Sequence, residues 1–161
     1  MKEMIIRFCR ILEAQAVEYA SLLEQTLRER ETLCSRQAGA IGTCLRQKEE
    51  LLVRISELDH QRLECLRFFA RFFDESMDDM TFSFLIEAIE EPLSTRLAAV
   101  RGRLREVTGL LKEENIRNGM LAGRMYEHAW GRGELLKNIV NAANGLYTKA
   151  VRKDVCHSVT G

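Results

Sequence analysis

Over most of this chain apolar side chains recur at steps of three and four residues, and proline occurs once, at Pro92. A helix of about 3.6 residues per turn carries such positions down one face, whereas a strand would need strict alternation. The first stripe runs through Ile5, Cys9, Leu12, Ala16, Tyr19, Leu23 and Leu27. Glu, Gln and Arg fill most of the positions between and lose little rotamer freedom in a helix. The spacing predicts a first helix of about thirty residues. Ala38-Gly39-Ala40-Ile41-Gly42 then weakens the pattern and marks a turn or sharp irregularity. The period resumes at Leu45 and continues through Leu52, Ile55, Leu63, Leu66, Phe69 and Phe73. A short connection directs this second long helix back antiparallel on the first. The pattern leaves open whether 5–38 and 41–73 are two helices or one bent rod.

From Asp74 to Glu91 the chain carries seven acids and no base. Asp79 or Thr81 is suited to cap a short helix through Phe84, Leu85 and Ile89. Pro92 fits the first turn of the next helix, where its missing N–H costs nothing. Leu93, Leu97, Val100, Leu104, Val107 and Leu111 then alternate four and three. The same count lands on Glu114 and Asn118 before apolar character returns at Leu121 and Met125. Polar groups on such a seam cost stability and serve register or partner choice; a locally wet seam near the end of a bundle is the plainer reading.

Trp130-Gly131-Arg132-Gly133 is the second punctuation mark, since each glycine costs about 1 kcal/mol inside a helix. A stop, kink or hinge at Gly131 and Gly133 is expected. Beyond it, Leu135, Leu136, Ile139, Val140, Ala143 and Leu146 share one face of an amphipathic segment. From Thr148 onward no apolar period remains, and a flexible tail is expected. The expected fold is all-α. It is an antiparallel, coiled-coil-like bundle of long helices with a short acidic helical connection and a C-terminal amphipathic helix. Its parts are a body over 1–133, a partner-binding helix over 134–147 and a tail over 148–161. Roughly five sizeable apolar side chains on that last helix would yield about 7–15 kcal/mol gross on burial. Ordering its backbone costs about 1–2 kcal/mol per residue, so it needs something to dock against, its own bundle or a partner helix.

The 161 residues suffice for one core, and 24 basic against 24 acidic side chains leave no net charge. That balance disfavours a protein that lives by gripping nucleic acid or an anionic membrane. The charge is uneven: residues 1–91 hold 12 bases and 18 acids, residues 92–161 hold 12 bases and 6 acids. The two parts should attract when packed. Arg96, Arg101, Arg103, Arg105, Lys112 and Arg117 form a conceivable phosphate surface, but aromatic residues are not interleaved among them. Five cysteines, Cys9, Cys34, Cys44, Cys65 and Cys156, include no CxxC pair and suit free thiols in a reducing compartment. No signal-peptide pattern and no run of about 18 apolar residues is present, so a cytoplasmic protein without membrane insertion is expected. Phosphate-cradling loops, nucleophile elbows and HExxH are missing. Glu57-Leu58-Asp59-His60 supplies one of the two ExxH elements that a di-iron bundle needs. No catalytic residue, metal site or cofactor is expected, and the chain is not read as an enzyme.

Several segments taken together carry a family resemblance. Glu18, Tyr19, Leu22, Leu23, Leu27 and Leu33 are followed by Leu45-x-x-Lys48-x-x-Leu51-Leu52-x-x-Ile55-x-x-Leu58 and Gln61-Arg62. Later come Glu114-Asn115-Ile116-Arg117-Asn118-Gly119-Met120-Leu121, an N-x-x-N-x-x-L element, and Gly145-Leu146-Tyr147. In this order and spacing the chain resembles the flagellar hook–filament junction export chaperones, the FlgN family. The resemblance implies a cytoplasmic chaperone that binds terminal helices of hook-associated proteins, prevents their early assembly and brings them to the flagellar type III export apparatus. By carry-over, Leu135, Leu136, Ile139, Val140 and Leu146 form the cargo face. Tyr147 is the candidate contact for the export apparatus, and Asn115 and Asn118 are structural or register residues. The competing expectation is a self-associating coiled-coil scaffold, a homo-oligomer held through the 93–125 seam.

Overall fold

A computed structural model of the chain describes residues 1–35 and 38–130, with side-chain surroundings described as far as Met125. Its elements are α1 (Lys2–Cys34), α2 (Ala38–Phe73), α3 (Phe82–Ala88) and α4 (Leu93–Trp130). The long helices pack as a bundle in which α1 lies between α2 and α4 and contacts both along its length. Phe8 meets Phe69 and Glu29 meets Lys48, so three heptads up α1 correspond to three heptads down α2. That is an antiparallel pair in constant register. Glu13 meets Arg96 and Arg30 meets Glu114, so α4 runs parallel to α1. The path is up, down, across the lower end through α3, and up again.

The buried face of α1 follows Phe8, Leu12, Gln15, Tyr19, Leu22, Thr26, Glu29 and Leu33, alternating four and three throughout. Here the apolar stripe anticipated through Leu23 and Leu27 is displaced: Leu23 is half-buried and Leu27 exposed. A heptad seam keeps its phase whatever the residue type, so Thr26 and Glu29 turn inward while Leu27, between them, does not. On α4 the seam is in phase with the count: Leu97, Val100, Leu104, Leu111, Glu114 and Asn118 are all buried.

The first connection lies earlier than the glycines suggested. α1 ends at Cys34, where the Ser35 N–H donates to the Glu31 carbonyl at 2.9 Å, and α2 has begun by Ala38. Gly39 and Gly42 therefore sit in the first turns of α2 and do not form the connection. Glycine's cost in a helix is backbone entropy, and it weighs less in an end turn, which is only loosely fixed, than in the middle. At the other end of α2, Asp74 adopts φ 57° and the Glu75 N–H returns to the Ala70 carbonyl at 2.9 Å. This is the left-handed helix stop that usually selects glycine. Thr81 caps α3, its hydroxyl accepting from the Phe84 N–H at 3.1 Å.

The main apolar core fills the lower and middle bundle, from Ile5 to Leu22 on α1, Leu51 to Ala70 on α2 and Leu97 to Leu111 on α4. Phe82 and Leu85 of α3 close its base. Leu33 and Cys44 are buried as well but lie outside this cluster, toward the upper end.

Candidate functional site

The residues that separate those two apolar regions form a layer of buried polar side chains contributed by all three long helices. The heptad phase of α1 brings Thr26 and Glu29 inward, α2 contributes Lys48, and α4 contributes Glu114, Asn115 and Asn118. Lys48 Nζ donates to Glu29 Oε2 at 2.6 Å, with the two side chains only 2% and 8% exposed. Asn118 Nδ2 donates to the Thr26 carbonyl at 2.8 Å and to the same Glu29 oxygen at 2.9 Å. Lys48 also reaches Asn115 Oδ1 at 3.5 Å. Arg30 donates to Glu114 Oε2 at 2.8 Å, and Arg117 donates to the other oxygen of that carboxylate.

Burial pushes the Lys48 ammonium below its ordinary value, while the Glu29 carboxylate beside it pulls in the opposite direction. The pair offsets part of a large desolvation cost, and two further amide atoms, Asn118 Oδ1 and Asn115 Nδ2, are buried with no protein partner. An apolar layer would be cheaper. What the polar layer supplies is directional: a one-turn slip of α4 on α1 would take Asn118 away from both of its acceptors. A smaller set lies lower down, where Gln15 Nε2 donates to Asp59 Oδ1 at 2.6 Å and Arg62 Nε to the same atom at 3.2 Å. Both sets act between helices, and neither opens a nucleophile or a general base toward a substrate.

Of the anticipated site residues, Asn115 and Asn118 fall in this layer. Gly131, Gly133, Leu135, Leu136, Ile139, Val140, Leu146 and Tyr147 lie outside the described residues, as do the proposed helix 134–147 and tail 148–161. Glu29 and Lys48, the centre of the layer, were not singled out from the sequence as site residues. A strict four-three count from Phe8 reaches Thr26 and Glu29 and would have flagged them. Three of the six basic side chains considered as a phosphate surface are engaged within the fold. Arg96 forks onto Glu13 at 2.8 and 2.7 Å, Arg101 donates to Ser83 at 3.1 Å, and Arg117 binds Glu114. The Arg96–Glu13 pair is one instance of attraction between the acidic and basic parts of the chain.

Among the described residues, no three His, Cys, Asp or Glu side chains are grouped to hold a metal ion, and no helix is long and apolar enough to cross a membrane. The seam over 93–125 faces α1, with Leu97, Val100, Leu104 and Leu111 buried in the common core. Comparison with known protein families matches residues 1–153 to the family described as FlgN protein. No curated protein and no solved structure matches the chain.

Proposed function

From the fact that this chain belongs to the FlgN family of flagellar export chaperones, we propose that it binds the terminal helices of hook-associated proteins in the cytoplasm, keeps them from assembling early and hands them to the flagellar type III export apparatus. The observation that carries this reading is the extent of the family match, which runs through residues 134–147 and past Tyr147. The physical argument agrees. Subunits that polymerise through amphipathic terminal helices stay monomeric when another chain covers the apolar stripe, by mass action alone. Within the described body, the long seams are already filled by neighbouring helices, so the stripe offered to cargo is Leu135, Leu136, Ile139, Val140 and Leu146. Gly131 and Gly133 act as the hinge that frees it, and Tyr147 contacts the export apparatus. Asn115 and Asn118 hold α4 in register so that the segment leaves the bundle at a fixed place.

The purified chain should co-elute with C-terminal helices of the hook-associated proteins from its own organism at micromolar concentration. Full-length Leu136→Ser/Ile139→Ser should keep its helicity and lose cargo by about tenfold or more. Tyr147→Ala should retain cargo and lose export. Unimpaired cargo binding by the double variant would refute the C-terminal face. A self-associating scaffold held through 93–125 would have to open a seam that α1 occupies.

A further inference from the structure

All seven phenylalanines of the chain lie in one unbroken string at the lower end of the bundle. Phe82 neighbours Phe8, Phe8 meets Phe69 edge-on, and Phe69 meets Phe68. Phe68 stacks on Phe72 at 6.3 Å and 21°, Phe72 meets Phe73, and Phe73 meets Phe84. Phe8 and Phe69 are wholly buried, yet the string surfaces midway: Phe68 is 37% exposed and Phe72 57%. Met77, in the loop after α2, is exposed as well. Scattered single apolar side chains on a surface need no explanation, but a stacked aromatic pair continuous with the core is a ready-made ledge.

The rim of this ledge is charged on one side of the balance. Residues 64–81 hold Glu64, Asp74, Glu75, Asp78 and Asp79 against Arg67 and Arg71. Glu64 already faces Arg7 and His60. Asp74, Glu75, Asp78 and Asp79 form no salt bridge among the described residues, although Asp79 accepts a hydrogen bond from Ser76. The Glu75 N–H bond to Ala70 ties the start of this loop beside Phe72 and Phe73. The geometry points to a docking site for a basic amphipathic helix of another protein, its apolar face on Phe68 and Phe72 and its cations toward the acidic loop.

Two other occupants fit less well. A second copy placed ledge to ledge brings two acidic loops together and is repelled. The chain's own segment 134–147 starts from the opposite end of the bundle, because α4 rises parallel to α1. Trp130 lies roughly 45 Å along the axis from the level of Phe69 at 1.5 Å rise per residue. Were 134–147 the helix proposed for it, that helix and three linking residues would together span about 30 Å. The ledge is thus a second surface, remote from the proposed cargo segment, and failure of the cargo assay leaves it untouched.

The test uses the full chain and a fluorescent synthetic helix of about 18 residues, leucines on one face and lysines on the other, beside a counterpart with glutamates for lysines. The lysine peptide should bind, and the glutamate peptide should bind at least about tenfold more weakly. Phe68→Ser/Phe72→Ser should weaken the lysine peptide by about tenfold or more with the helical circular dichroism unchanged. Should that variant lose helicity, Glu75→Gln/Asp78→Asn, both exposed, should still weaken binding at low salt by several-fold. Equal binding of the two peptides, no binding to the wild-type chain, or undiminished binding by the folded variants would overturn the proposal. So would a sedimenting dimer that Phe72→Ser dissolves, since that would make the occupant a second copy.

Discussion

Asp74 shows how a single position can carry a cost that its neighbours have to offset. Its φ of 57° places it in the left-handed region, where a Cβ crowds the following carbonyl and glycine does not. Asp74→Gly should therefore raise stability by about 0.5–1 kcal/mol, read as an increased urea midpoint at unchanged slope. Glu13 offers a second measurement at this scale. The guanidinium of Arg96, hydrogen-bonded to it, holds its carboxyl below the ordinary 4.5. A folded-state value below the unfolded one means that the carboxylate's contribution is present above about pH 4.5 and is lost as pH falls through the folded value. Wild type should lose more stability than Glu13→Gln between about pH 5 and pH 3. With about a third of each side chain exposed, the difference should stay under about 1 kcal/mol. Urea midpoints across that range decide it, and parallel curves would show that the pair contributes nothing.

At the level of the helices, what the sequence made legible followed from period, and what it hid followed from residue type. The four-three count along α4 carried through Leu111 to Glu114 and Asn118 and placed both on the buried seam. Along α1 the apolar letters drew the stripe toward Leu23 and Leu27, whereas constant phase requires Leu22, Thr26 and Glu29. Those polar residues become intelligible only with Lys48 and Asn118 opposite them, partners 19 and 89 positions away from Glu29. No local signal reports such pairing. Gly39 and Gly42 misplaced the first connection for a similar reason, since the cost of glycine is small at a helix start and large in its middle. The polar layer itself yields a two-step prediction. Lys48→Met strands the Glu29 carboxylate in the interior and should cost about 3–5 kcal/mol. Glu29→Leu added to Lys48→Met should recover most of that loss, to within about 2 kcal/mol of wild type. If the double variant is no better than the single, the layer is held by something other than this ion pair.

Taken as one body, the molecule is unequal along its axis. Aromatic and aliphatic packing fills the end where α1 begins and α3 crosses. Toward the far end, the three helices share the polar layer, and beyond it α1 and α2 bury the small pair Leu33 and Cys44. Native-state hydrogen exchange should show a gradient, with amides around Leu12, Phe69 and Val100 opening only in global unfolding. Those of α4 beyond Asn118 should exchange through local opening about 2 kcal/mol or more below that limit. Uniform protection along α4 would contradict the gradient. The position of the polar layer has a mechanical consequence. Tension applied through the C-terminal segment peels α4 from its weakest attachments first, one turn at a time, before it meets the phenylalanine-bound base. A pull directed along the axis would therefore free the upper turns of α4 while the aromatic base keeps its fold.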